Sequence, residues 1–130
     1  MTVARAVPNL VQFDMSSPFK RLPAFFYRSV AGREPVREWL KGLSPEDRKG
    51  IGEDIKEVEF SWPLGMPRVR SLGHELWEVR STLAHGRIAR IIFCIENGSM
   101  VLLHGFIKKS QKTPKHDLDL AMKRRKGAGE

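Results

Sequence analysis

The sequence predicts a small α+β domain in which two amphipathic helices precede a β-meander and a further helix closes the chain. Three observations point there. Apolar residues recur at helical spacing between Val36 and Val58, the period changes to two from Val69 onward, and Asn97-Gly98 separates two strongly apolar runs. A chain of 130 residues and 14.8 kDa fits one domain with one core.

The elements follow in order. Residues 1–23 hold three of the eight Pro and no sustained periodicity, so a poorly ordered leader is expected there. Ala24 to Ser29 is short, aromatic and bounded by Pro23 and Gly32, as a first strand would be. Pro35 can open a helix in which Val36, Trp39, Leu40 and Leu43 share a face, and Gly42 marks its end. Ser44-Pro45-Glu46-Asp47 reads as an N-cap, a Pro at the first helical position and two acids at the positive end of the helix dipole. Ile51, Ile55 and Val58 continue that second helix until Pro63. Gly50 and Gly52 each weaken it by up to about 1 kcal/mol relative to Ala, so its apolar stripe needs tertiary packing.

Three consecutive strands are then expected around Leu76–Arg80, Ile88–Ile95 and Met100–Ile107. Both central residues of a type I′ turn need positive φ, which Asn97-Gly98 accepts readily. In the last helix Thr113 is expected to cap, Pro114 to open, and Leu118, Ala121 and Met122 to line one face.

The turn fixes a register, and the register says which side chains share a face. A two-residue loop sets Glu96 opposite Ser99, Cys94 opposite Val101, Ile92 opposite Leu103 and Arg90 opposite Gly105. Ala89, Ile91, Phe93 and Ile95 then form, with Met100, Leu102 and Phe106, the surface on which the two early helices pack, and His104 falls on that core side. Arg90 faces the uncovered side together with Lys109. A three-residue loop at Ala84-His85-Gly86 would set Arg80 directly opposite Arg90. Like charges so paired are destabilising, and an Arg pair beside small Gly105 reads as a cradle for phosphate oxygens. The alternative is that Arg80 pairs with Glu78 or Glu75 while Arg90 is a solvated strand residue.

Charge supports an anionic partner. The chain carries 23 Lys+Arg against 15 Asp+Glu, a formal +8, and residues 61–130 hold +7 of it. Residues 108–126 alone carry eight basic and two acidic side chains, a run that attracts a polyanion by counterion release. Lys108, Lys109 and Lys112 are the stronger candidates because a strand end holds them near the Arg pair, whereas Lys123 to Lys126 read as a solvated helix surface and frayed tail.

Other classes fall away. The longest apolar run, Ile91 to Ile95, is far short of the roughly 20 residues of a membrane span, and no secretory h-region is present, so no membrane partner is expected. The single Cys94 excludes an intrachain disulfide and fits a reducing, cytoplasmic setting. His74, His85, His104 and His116 lack zinc-type spacing, and no Gly-rich phosphate loop, Cys/His pair or carboxylate cluster appears, so no metal or cofactor is expected. Phosphate chemistry would then use Lys and Arg as transition-state donors and, on RNA, the substrate's own 2′-hydroxyl as nucleophile, with Glu78, His74 or His85 as possible acid/base groups.

Leu76-Trp77-Glu78-Val79-Arg80, Arg87 to Phe93 and above all Leu102-Leu103-His104-Gly105-Phe106-Ile107-Lys108-Lys109-Ser110-Gln111-Lys112-Thr113-Pro114 resemble the RelE/ParE toxin superfamily, in its phage-derived HigB-like branch. The resemblance covers about residues 24–126, leaving 127–130 as a tail. It implies a RelE-like fold: a small, mostly antiparallel sheet with two N-terminal helices on one face and a C-terminal helix at the edge. It also implies the toxin of a type II toxin–antitoxin pair, a metal-free mRNA endoribonuclease that enters the ribosomal A site, contacts 16S rRNA and mRNA, and is neutralised by a cognate helix-turn-helix antitoxin. By analogy, Arg80, Arg90, Lys108 and Lys109 would be catalytic, and Lys112, Lys115, Arg87 and Arg68 would bind RNA. The C-terminal Tyr of RelE has no counterpart, since the only Tyr here is Tyr27, so Lys112, Lys115 or a His would take its place. Two rival readings share the charge pattern: a ParE-like DNA gyrase inhibitor acting by binding, and a non-catalytic nucleic-acid-binding module.

Overall fold

The computed structural model describes residues 19–63, 68–108 and 112–127. Two helices, α1 (Pro35–Lys41) and α2 (Pro45–Ser61), follow a three-residue strand β1 (Ala24–Phe26). The meander β2 (Val69–Gly73), β3 (Leu76–Thr82), β4 (Ile88–Glu96) and β5 (Ser99–Lys108) leads into α3 (Lys115–Arg125). The sheet runs β1-β5-β4-β3-β2 and is mixed: β1 lies parallel to β5, while the other three pairings are antiparallel. The expected mostly antiparallel sheet is corrected accordingly. The parallel pairing is possible because α1 and α2, with three strands, intervene between β1 and β5 and supply the crossover.

Local signals place the early helices. Ser44 Oγ accepts from the Asp47 N–H at 3.1 Å, Pro45 occupies the first turn, and Ile51, Ile55 and Val58 are buried. They meet Val79, Ala89, Ile91, Phe93, Met100 and Leu102 on one face of the sheet, with Val36 of α1 in the same core. Packing begins before residue 24. Leu22 is buried in this core, and the Arg21 and Leu22 amides donate to the Glu59 carbonyl at 2.7 and 2.9 Å. Residues 1–18 of the expected leader lie outside the described residues.

The meander has one more strand than expected, because β2 is an edge strand with half-buried Val69 and Leu72 as its only inward apolar residues. The Asn97-Gly98 turn has φ of 50° and 75°, with Glu96 opposite Ser99 and Cys94 opposite Val101 as expected. A bulge between Ile92 and Phe93 then changes the register, so Ile92 faces His104 and Arg90 faces Phe106, not Leu103 and Gly105. One inserted residue reverses the faces beyond it. The bulge has a packing reason: Gly105 turns toward the helices, where a Cβ would stand 2.5 Å from two ring carbons of Trp39 in α1. His104 moves to the other face, away from the two early helices.

That other face is not uncovered. Leu76, Ile92, Cys94, Leu103 and Phe106 form a second core with Ala121, and Leu118 and Met122 pack on it from α3. The C-terminal helix is thus a layer on the sheet, against β4 and β5. Thr113 does not cap it; Pro114 takes the N-cap position without a side-chain cap bond, and the Thr113 hydroxyl reaches the sheet instead. Nor are the last basic residues all frayed: Arg124 Nη1 donates to the Leu103 carbonyl at 2.8 Å, and Arg125 pairs with Glu75.

Candidate nucleic-acid interface

Beyond the end of α3 where it begins, the second face of the sheet is basic. Antiparallel pairing sets Arg70 of β2 opposite Glu78, Arg80 of β3 opposite Arg90 of β4, and Lys108 of β5 opposite Ile88. The Arg80–Arg90 pairing is the one the loop length predicts. Arg70 is exposed, Arg80 and Lys108 are half-buried, and Lys112 is exposed just before α3.

Arg90 departs from expectation. Neither solvated nor open, it is fully buried, with Nη1 3.6 Å from Oε1 of the equally buried Glu78. Burial lowers its affinity for the proton, the Glu78 carboxylate works against that, and the charges of Arg80 and Arg70 reinforce it. A guanidinium remains charged under such pressure, so Arg90 and Glu78 form a paired ionic base beneath the exposed cations. Glu78 Oε2 also accepts from Thr113 Oγ1 at 2.5 Å. Direct contact between Arg90 and a phosphate is closed in this arrangement, which corrects its placement in an open cradle, and Gly105 is not beside it.

The remaining candidates divide. Arg87 holds Asp47 at the start of α2 with two bonds of 2.8 and 3.0 Å, each partner stabilising the other's charged form. Arg68 reaches Glu57 at 2.5 Å and Asp54 at 3.8 Å, also on α2. Both tie the meander to a helix on the opposite layer, so the structure does not bring them to the basic face. Lys115 pairs with Asp119 one turn on at 2.8 Å, an exposed contact that water screens and a phosphate could replace. Lys109 lies outside the described residues.

His104 and Asp117 form a half-hidden dyad under α3, Nε2 to Oδ1 at 2.7 Å, with the imidazole stacked on Phe106 at 5.4 Å between centroids. Burial holds the His104 proton affinity below its ordinary value despite Asp117, with Arg124 and His116 adding to the effect. His74 and His85 both sit in left-handed turn conformations, φ 54° and 63°. Among the described residues no three His, Cys, Asp or Glu side chains gather as a metal site would require. Two cavities lie apart from the basic face, one of about 350 Å3 between Ser29, Arg33 and Arg124, the other of about 520 Å3 beside Phe25, Tyr27 and Val101.

Sequence reasoning missed Arg70 and the structural part of Glu78. The first was legible in principle: the alternation of Val69 to Gly73, read as a paired strand, puts Arg70 on the face of Glu78. The second depends on Thr113 returning to the sheet, which no local pattern announces.

A mixed sheet covered by helices on both faces, presenting Arg70, Arg80 and Lys108 beside the entry to its last helix, defines a small α+β domain with a basic face. The chain belongs to the phage-derived Gp49-like (DUF891) proteins, whose family model matches residues 38–126, from within α1 through the end of α3. No curated protein matches the chain. Among the described residues no helix is long and apolar enough to cross a membrane.

Proposed function

We propose that the protein is the toxin of a type II toxin–antitoxin pair, a ribosome-dependent, metal-free mRNA endoribonuclease that inhibits translation in the cytoplasm. The observation that carries the reading is the pairing of Arg80 with the buried Arg90, with Arg70 on the next strand opposite Glu78 and Lys108 two strands away on the same face. Membership of a phage-derived family and the resemblance of the Leu102–Pro114 stretch to RelE/ParE toxins support it.

In this reading Arg80 donates to the non-bridging oxygens of the scissile phosphate as negative charge grows in the transition state. The RNA 2′-oxygen attacks phosphorus, its proton passes to a base, and the bond to the 5′-oxygen breaks with proton return to that leaving group, giving a 2′,3′-cyclic phosphate and a new 5′-hydroxyl end. Lys108 and Lys109 stabilise the developing charge, while Arg70, Lys112 and Lys115 grip mRNA and 16S rRNA in the A site. Arg90 acts from beneath, paired with Glu78, and contributes without touching RNA. A helix-turn-helix antitoxin would neutralise the protein by covering this face.

Burial of Arg90 and the helix-bound states of Arg68 and Arg87 reduce the cations available to a substrate. That observation favours, as a second reading, inhibition by binding alone, of DNA gyrase or of another nucleic-acid-bound target. Growth on induction in a host lacking the antitoxin separates the readings: Arg80→Ala and Lys109→Ala abolish toxicity if the protein cuts RNA. Removing one transition-state donor of this kind costs on the order of a hundredfold in turnover, and undiminished toxicity in both variants defeats the assignment.

A further inference from the structure

Strand β3 and the Lys112–Thr113–Pro114 segment, far apart in sequence, are joined at one buried point. Glu78 is fully buried, and its two oxygens have different partners: Oε1 faces the Arg90 guanidinium at 3.6 Å, and Oε2 takes the Thr113 hydroxyl at 2.5 Å. A carboxylate in such a place is costly unless paired and hydrogen-bonded. Arg90 supplies the charge, and Thr113 supplies the O–H donor. Hydrogen bonds to an ionised acceptor are about twice as strong as neutral ones, so this contact is a strong tether for a segment that enters α3 with no side-chain cap of its own.

The tether has a geometric consequence. Arg80 lies two residues beyond Glu78 on the same strand and face, about 7 Å along it. Lys112 adjoins Thr113, its Cα about 3.8 Å away along the chain, and Lys115 opens α3 two residues later. Fixing Thr113 on Glu78 therefore fixes the cations of the α3 entry relative to the arginine of β3.

We infer that Thr113 and Glu78 are positioning residues, a latch that holds Lys112 and Lys115 in register with Arg80 so that one RNA phosphate backbone meets both. This inference rests on the functional reading above for the RNA but on the geometry alone for the latch. Replacing Thr113 by Val keeps the shape and removes the donor, whereas Ser keeps the donor.

The test compares Thr113→Val, Thr113→Ser and the wild-type chain in three measurements: amide exchange at residues 118–121, the first hydrogen-bonded amides of α3, affinity for a single-stranded RNA oligonucleotide, and cleavage of mRNA on purified ribosomes with kcat and KM resolved. The latch predicts faster exchange in Thr113→Val, weaker RNA binding, and cleavage lowered on the order of tenfold to a hundredfold, as a misplacement of about 1 Å would produce. Thr113→Ser returns all three close to wild type. Faster exchange with RNA affinity and cleavage unchanged overturns the positioning role, and so does Thr113→Val exchange equal to wild type. A wild-type chain that binds RNA but never cuts it defeats the nuclease reading alone, and the latch is then judged on exchange and RNA affinity.

Discussion

Gly105 is where a single residue decides the most. With a Cβ 2.5 Å from the Trp39 ring, a Gly105→Ala chain must displace a half-buried indole or shift β5. Overpacking of this kind costs about 1–3 kcal/mol, so thermal unfolding of the variant should fall by several degrees, and an unchanged Tm would show that Trp39 yields freely. Cys94 offers a second check. It is buried, and burial above all pushes its thiol up to about 11, with Glu96 adding to the effect. Because the thiolate is the reactive form, a disulfide reagent at pH 8 should label Cys94 slowly in the native protein and rapidly in denaturant. That Cys94 has no disulfide partner within the chain was legible from the cysteine count. The surroundings of Gly105 were not, because strict alternation along β5 assumes no bulge.

Among the elements, those with local punctuation read correctly except at the entry to α3, where Pro114 and not Thr113 takes the N-cap position. Ser44-Pro45 starts α2, Pro35 starts α1, and Asn97-Gly98 makes the β4–β5 turn. What depended on distant contacts did not: β2 pairs as an edge strand with little apolar content, and the stripe of Leu118, Ala121 and Met122 does not say which layer it covers. The docking of α3 brings Asp117 to His104, and this predicts a pH response. A folded-state affinity below the ordinary value near 6.5 means that the unfolded chain binds the proton more readily. Stability is then highest above about pH 6.5 and declines as pH falls toward the folded-state value. Tm measured between pH 7.5 and 5 should drop, and His104→Gln should flatten the drop; a flat wild-type profile, or an unchanged slope in the variant, contradicts the placement of His104. The carboxylates whose affinities are lowered, Glu38 and Asp47, respond at lower pH.

For the whole molecule, the surplus of +8 resolves into unequal parts. Arg68, Arg87, Arg124 and Arg125 hold helices and turns in place, and Arg90 is buried against Glu78. If the proposed RNA binding uses the cations of the basic face, salt dependence should distinguish the groups. Each lost phosphate contact to single-stranded RNA reduces the slope of log K against log salt by about 0.7. Arg70→Gln with Arg80→Gln should flatten it by roughly twice that, while Lys123→Gln, on the exposed side of α3, should leave it nearly unchanged. Equal effects would mean that net charge, not its placement, governs binding. The sequence already located the excess in the second half of the chain; it did not separate cations that brace the fold from those on the basic face, because bracing depends on acids brought close only by folding.

The most direct measurement of the central claim is primer extension across a chromosomal transcript after induction, in cells carrying the wild-type chain or Arg80→Ala. The account predicts new 5′ ends within codons of translated mRNA for the wild type, absent when translation is blocked and absent for Arg80→Ala. Intact transcripts in growth-arrested cells, with gyrase-dependent DNA breaks in their place, would contradict it.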